Sequence, residues 1–205
     1  VDENYFLDPD NKPVKFFDAL IGGYSVGTPG VVKMMALAHR QYGKLSWPEL
    51  FVPAIELSRQ GFEMSPRLYA LLERFNQLLK HPSSRSYFYL PDGKPRPIGT
   101  LIKNPQLADT LELLAKEGGE AFYRGQLAAA IASAVHDDSV LPGKLTVDDI
   151  ERYQAMTREP VCANFRVYRI CTTPPPSSGA TVLQILGILE QLPKPAAVLY
   201  LVEAG

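Results

Sequence analysis

Apolar residues recur at helical intervals through most of this chain and switch to strict alternation near its end. In "SPRLYALLERFNQLLK", Leu68, Leu71, Leu72, Phe75, Leu78 and Leu79 share one helical face. The spacing predicts a helix from Ser65-Pro66 to about His81, where Pro82 stops it. Upstream, "GVVKMMALAHRQYGK" predicts a helix opened by Pro29 and ended at Gly43. "LSWPELFVPAIELSRQG" carries an S-x-x-E capping box, Ser46 to Glu49, flanked by a staple-like pair, Leu45 and Leu50. Pro48 falls in the tolerant first turn, whereas Pro53 predicts a kink or a broken start, and Gly61 ends the element. Asn104-Pro105 begins another helix, with Leu107, Leu111 and Leu114 on one face, broken by Gly118-Gly119. A helical turn at "GEAFYRG", an alanine-rich helix "QLAAAIASAVHD" and a short helix "LTVDDIERYQ" capped by Thr146 complete the helical region. Between helices, residues 82–103 read as loop with a turn at "PDGK", and "YFLDPDNKPVKFFD" reads as two short strands around a turn at Asp8–Lys12. Alternation then takes over in "EPVCANFRVYRICTTP", a β-hairpin turning near Asn164–Arg166. A proline corner follows, then the helix "ATVLQILGILEQL" and a helix-like "AAVLYLVEAG". No internal repeat is visible.

Composition narrows the class. The 205 residues are 46% hydrophobic and 21% charged, enough to bury a core in one large domain or two small ones. Basic and acidic residues nearly cancel, 21 against 22, without a Lys/Arg block, so nucleic acid and anionic membrane surfaces are not expected partners. The longest apolar runs fall well short of the roughly 18 residues of a membrane span. There is no visible signal peptide. The chain opens at Val1 and stops at Gly205 immediately after an apolar run, and it reads as a piece of a longer polypeptide. Cys162 and Cys171 lack metal-ligand spacing. With the hairpin turning near Asn164–Arg166 they would not face each other, so they read as free thiols and leave the redox compartment open.

Candidate chemistry is sparse. Ser177 and Ser178 follow Pro174–Pro176, but "PPSSG" lacks the first glycine of a G-x-S-x-G nucleophile elbow. A nucleophilic serine also needs a base, and nothing in the spacing brings His39, His81 or His136 to it. The structural reading is that the prolines stop the strand and Ser177 or Ser178 caps the next helix. "GGYSVGTPG", with Gly22, Gly23, Gly27 and Gly30, is neither a Walker loop nor a dinucleotide fingerprint. It could hold an anion on free N–H groups, but a tight chain reversal needs the same glycines. Asp137-Asp138 reads as a polar helix end, and Asp148-Asp149 as first-turn acids suited to the helix dipole. Trp47 reads as packing. No catalytic residue, metal ligand or cofactor-binding residue is assigned.

In their order and separations, "GGYSVGTPG", "YGKLSWPELFVPAIELSRQGF", "EAFYRG", "LTVDDIERY" and "YRICTTPPPSSGATVLQILGILE" resemble the γ-glutamyltransferase (γ-glutamyltranspeptidase, glutathione hydrolase) family. The resemblance covers nearly the whole chain and implies an α+β class, part of the αββα fold of N-terminal-nucleophile hydrolases. This segment would be one piece of the large-subunit domain: a mainly helical region over about 28–155, then hairpin, corner and helix over about 158–205. The resemblance also implies a precursor that cuts itself, a small-subunit partner from the same precursor, and a γ-glutamyl substrate such as glutathione. In such an enzyme the small subunit's N-terminal threonine carries the acyl group, and its free amine serves as base. That threonine motif would lie beyond Gly205 and the glutamate-binding arginine before Val1, so no position here carries a family catalytic role. A secreted or periplasmic setting is implied, and no cofactor. Ala180 stands where the family commonly has glycine, Val167 replaces a common hairpin glycine, and "QLPKPAAVLYLVEAG" is a shorter connection than usual. A non-catalytic helical module of the same ancestry is the alternative.

Overall fold

The computed structural model describes residues 4–7 and 10–192, in two compact units, Val1–Ala155 and Met156–Gly205. Among the described residues the chain is α+β: helices dominate, with two short antiparallel strand pairs.

In the first unit the elements run α1 (Phe16–Ala19), α2 (Val31–Tyr42), α3 (Val52–Gln60), β1 (Phe62–Glu63), α4 (Pro66–Arg74), α5 (Pro82–Phe88), β2 (Leu101–Ile102), α6 (Pro105–Glu117), α7 (Gly125–His136) and α8 (Val147–Glu151). The start signals work as local chemistry says they should. Ser65 accepts from the Leu68 N–H, Asn104 from the Leu107 N–H, and Thr146 forms a reciprocal capping box with Asp149. At Ser46 only half the box forms: Glu49 takes the Ser46 N–H at 2.8 Å, and the serine hydroxyl also donates to that carboxylate. The start is broken as Pro53 requires, a 3₁₀ segment Pro48–Phe51 preceding α3. Gly43 and Gly61 end α2 and α3.

Three expectations are corrected. The helix from Ser65 breaks at Phe75 (φ −113°, ψ 76°), and Asn76–Lys80 tightens into a 3₁₀ segment. In an unbroken helix the Leu72 carbonyl would take the Asn76 N–H. Here it accepts the buried Tyr89 hydroxyl at 3.1 Å. Residues 82–103 are not all loop, since Pro82 starts α5. The serines of "PSSRSYF" are mediocre helix formers, so the helix depends on its surroundings. Tyr87 and Phe88 pack on the Met64–Leu72–Tyr89–Ile102 cluster, and Arg96 donates to the Tyr87 and Ser86 carbonyls at the helix end, 3.0 and 2.9 Å. The "PDGK" turn is present, with Gly93 at φ +83°. The two strands expected near the start reduce to a single bridge between Leu7 and Pro13 before α1; Asp8 and Pro9 of the expected turn lie outside the described residues.

A second cluster holds the end of the unit together: Tyr123, Ala128, Ala132, Val135, Leu145 and Ile150. Small alanines let α7 approach α8 closely. Arg59 of α3 reaches Asp109 and Glu112 of α6, both at 2.8 Å.

The second unit contains the hairpin β3 (Val161–Phe165) and β4 (Tyr168–Thr172), then α9 (Gly179–Glu190). The turn is Arg166-Val167, so Cys162 stands opposite Cys171, and the two form a disulfide with Cα atoms 4.2 Å apart. The expectation of free thiols is therefore wrong. Its cause was a turn placed about two residues too early, which shifts every cross-strand partner. The positive φ of the turn, 55°, falls on Arg166, so Val167 does not need glycine's freedom. The Arg166 N–H donates to Glu190 at 2.8 Å, fixing the turn to the end of α9. The helix-like "AAVLYLVEAG" lies outside the described residues.

Candidate functional site

The proline corner joins β4 to α9. Pro174–Pro176 end the strand, with a cis peptide between Pro175 and Pro176, and the Ser177 N–H closes the turn on the Pro174 carbonyl at 3.2 Å. The Ser177 hydroxyl accepts from Thr173 Oγ1 at 3.0 Å. Ser178 occupies the N-cap position of α9, but its side chain makes no capping bond. This corrects the expected cap. Ser65 and Thr146 cap from extended backbone, ψ 156° and 162°, which aims the oxygen at the first turn. Ser178 has φ −74° and ψ 3°, which does not. Gly179 is required by close approach, because a Cβ there would overlap the Thr173 carbonyl oxygen.

An open groove of about 740 Å³ lies along the corner. Arg158, Cys171, Thr173 and Ser177 line it with Met156 and proline rings. Its polar groups are hydroxyls, a guanidinium and the disulfide, and the second unit has no histidine in its sequence. Within their own unit the serines have hydroxyl and backbone company.

The histidines serve the first unit. A ring nitrogen of His39 is 2.9 Å from the Leu45 carbonyl, and its ring meets Trp47 edge-on. His81 Nδ1 is 3.3 Å from Asp138. His136 lies in the last turn of α7. Trp47 is packing, as expected: its indole N–H donates to the Leu114 carbonyl at 2.9 Å.

The glycine loop is a chain reversal pinned from several sides. Gly22 has φ 109°, Gly23 lies against the Val135 carbonyl, and the Tyr24 N–H bonds to Leu141 at 3.0 Å. The α2 start, where an anion would sit, is already engaged. The buried Tyr123 hydroxyl accepts the Lys33 N–H at 2.9 Å and donates to the Pro29 carbonyl at 2.6 Å. Beside the loop is a concavity of about 290 Å³ that includes Tyr5, Thr28, Lys144 and Asp149.

The acid pairs resolve into separate structural jobs. Asp149 accepts from Thr146, which holds its carboxyl below the ordinary range. Asp148 pairs with Arg152 one turn on, at 2.7 Å. Asp137 accepts from Ser133. Burial pushes Asp138 up, but N–H donors from Leu141, Val140 and Gly23 and the nearby His81 outweigh it and leave the carboxyl low. The sequence does not reveal Tyr123 as a brace, because its partners lie far away along the chain, and it shows Asp138 only as a polar helix end although Val140 and Leu141 donate to it from the next few residues. Among the described residues no cluster of three His, Cys, Asp or Glu could hold a metal, and no helix is long and apolar enough to cross a membrane.

A family model described as Gamma-glutamyltranspeptidase matches residues 1–204. A glutathione hydrolase proenzyme of Bacillus subtilis (strain 168) is 33% identical over 186 residues, which is 90% of this chain and 31% of that protein. The crystal structure of Helicobacter pylori gamma-glutamyltranspeptidase superposes with a TM-score of 0.84 at 31% identity, covering 94% of this chain and 55% of that one. The Bacillus anthracis transpeptidase enzyme CapD superposes with a TM-score of 0.67 at 36% identity, covering 78% of this chain and 54% of that one. The chain thus spans about a third of the curated relative and about half of each solved chain.

Proposed function

Because this chain belongs to the gamma-glutamyltranspeptidase family, within the N-terminal-nucleophile hydrolase fold class, we propose that it is a supporting portion of the large subunit of a proenzyme that moves γ-glutamyl groups. The observation that carries the proposal is the family match over residues 1–204. The donor is a γ-glutamyl compound such as glutathione, and the acceptor is water, an amino acid or a peptide. The acyl group rides on an N-terminal threonine supplied by polypeptide outside these residues. The partner is the small-subunit portion of the same precursor.

The side chains support this division of labour. Ser177 is engaged by Thr173, His81 by Asp138 and His39 by the Leu45 carbonyl, each held in a framework contact. No residue of this chain is assigned a catalytic, cofactor or metal role. The parent works in a secreted or periplasmic setting, which the hairpin disulfide suits, since such bonds persist in oxidising compartments.

The 205-residue chain alone is expected to release no p-nitroaniline from γ-glutamyl-p-nitroanilide, while the full-length parent cleaves itself and turns the substrate over. Robust turnover by the isolated chain overturns the assignment of chemistry to the missing part. A parent that never processes itself points instead to a non-catalytic module. A fluorophosphonate probe should leave the chain unlabelled; labelling abolished by Ser178→Ala would return the corner serine to the chemistry.

A further inference from the structure

Residues 62–102 form an excursion closed at its base, where Phe62 of β1 pairs with Ile102 of β2. Its apolar cluster is its own: Met64, Leu72, Tyr89 and Ile102, with Leu68, Leu79 and Phe88 against them, all fall inside those bounds. His81 stands near the middle of the excursion. It is the N-cap residue of α5, and its carbonyl takes the Arg85 N–H at 2.8 Å. Its Nδ1 lies 3.3 Å from Asp138 Oδ2 in the loop after α7, and both side chains are largely shielded, 20% and 13% exposed. The other carboxylate oxygen of Asp138 accepts the Val140 and Leu141 N–H groups, both at 2.9 Å, and the Gly23 N–H also donates to this carboxylate. One carboxylate thus ties the middle of the excursion to the loop that seats Gly23 and Tyr24.

We propose that the His81–Asp138 pair is a pH-operated latch, closed when the imidazole is charged and released when it is neutral. Histidine is the side chain whose charge changes near neutral pH. The pair favours the imidazolium, so its stabilisation is present on the acid side and is lost as pH rises through the imidazole's titration. Asp138 stays ionised across that change: burial opposes its charge, but the N–H donors from Leu141, Val140 and Gly23 outweigh the burial. Gly22, Gly23, Val26, Ile131, Ala134 and Val135, which line the hollow around the pair, carry no charge. Of the nearby ionisable groups, Asp137 is engaged by Ser133 and His136 is exposed on α7. On His81's own segment Lys80 is exposed, and Arg85 reaches the Pro91 carbonyl at 3.4 Å. Helix α5 is the element that responds. Its serine-rich first turn has no side-chain cap, and Arg96 holds its far end, so releasing His81 lets its start fray. The latch is independent of the γ-glutamyl chemistry.

The test is amide hydrogen exchange, read by mass spectrometry on the 205-residue chain at pH 5.5 and pH 8.5. Labelling times are scaled to the chemical exchange rate at each pH, and α6 serves as the internal reference. Protection over residues 76–88 relative to α6 is expected to be about five-fold higher at pH 5.5, the upper end for an ion pair that keeps some contact with water. His81→Gln should abolish that difference. Asp138→Asn, which keeps an oxygen for the Val140 and Leu141 N–H groups, should abolish it too, whereas His136→Gln should preserve it. Equal protection at the two pH values in the unsubstituted chain, a difference that persists in His81→Gln or Asp138→Asn, or its loss in His136→Gln would each overturn the proposal.

Discussion

Tyr123 concentrates several roles in one side chain. Its ring is fully buried in the α7–α8 cluster, and its hydroxyl bridges the Pro29 carbonyl and the Lys33 N–H at the start of α2. Tyr123→Phe keeps the ring and strands both backbone groups, so it is expected to cost about 1–3 kcal/mol in urea unfolding. Asp138 offers a pH test. Its folded pKa is depressed, so its stabilisation is present above the unfolded carboxylate value of about 3.9 and is lost as pH falls through the lower folded value. Asp138→Asn should be less stable at neutral pH and show a flatter acid limb in thermal melts between pH 5 and about 2. The local roles were legible in the sequence: Thr146 caps α8, as a Thr before an acid-rich first turn should. Tyr123 was not legible, because its partners Pro29 and Lys33 lie 94 and 90 positions away; Asp138 was legible only as a polar helix end, since its bonds from Val140 and Leu141 are local but His81 lies 57 positions away.

At the scale of elements, the disulfide links the two strands of the hairpin in the second unit. Closing a loop of this size removes about 2–3 kcal/mol of unfolded-state entropy. Cys162→Ser with Cys171→Ser is expected to lower the stability of the hairpin by about that amount, read by amide hydrogen exchange in residues 161–172. Helix α6, marked by Asn104-Pro105 and Gly118, was legible down to its terminal residues; α2 ends at Gly43 as read but starts at Val31 behind a Gly30 N-cap, which leaves Pro29 outside the first turn it was expected to open. The break at Phe75 was not, because it depends on a hydroxyl from Tyr89 in another segment taking the Leu72 carbonyl. Helix α5 was hidden for a related reason: tertiary contacts and Arg96, rather than its serines, hold it. The hairpin was legible as an element but not in register, since alternation fixes which residues share a face and leaves the turn position open.

For the whole molecule, the order of five motifs was enough to indicate the family, and the family match and superpositions agree with it. No catalytic site was legible, and the corner, the glycine loop and the acid pairs all proved to hold backbone or neighbouring side chains. Large apolar groups are left in solvent, among them Met34, Met35 and Val31 on α2 and Val182, Ile185 and Ile188 on α9. Faces of this kind are what an absent neighbour would cover. The isolated chain should bind the dye ANS strongly, and the processed parent should bind much less per mole. The division into two units also gives each its own reporter. The sole tryptophan, Trp47, sits in the first unit, and both cysteines sit in the second. Indole emission therefore follows one unit through denaturation while the rate at which a phosphine reductant opens the cystine follows the other, so parallel readings reveal whether the two melt together or in sequence.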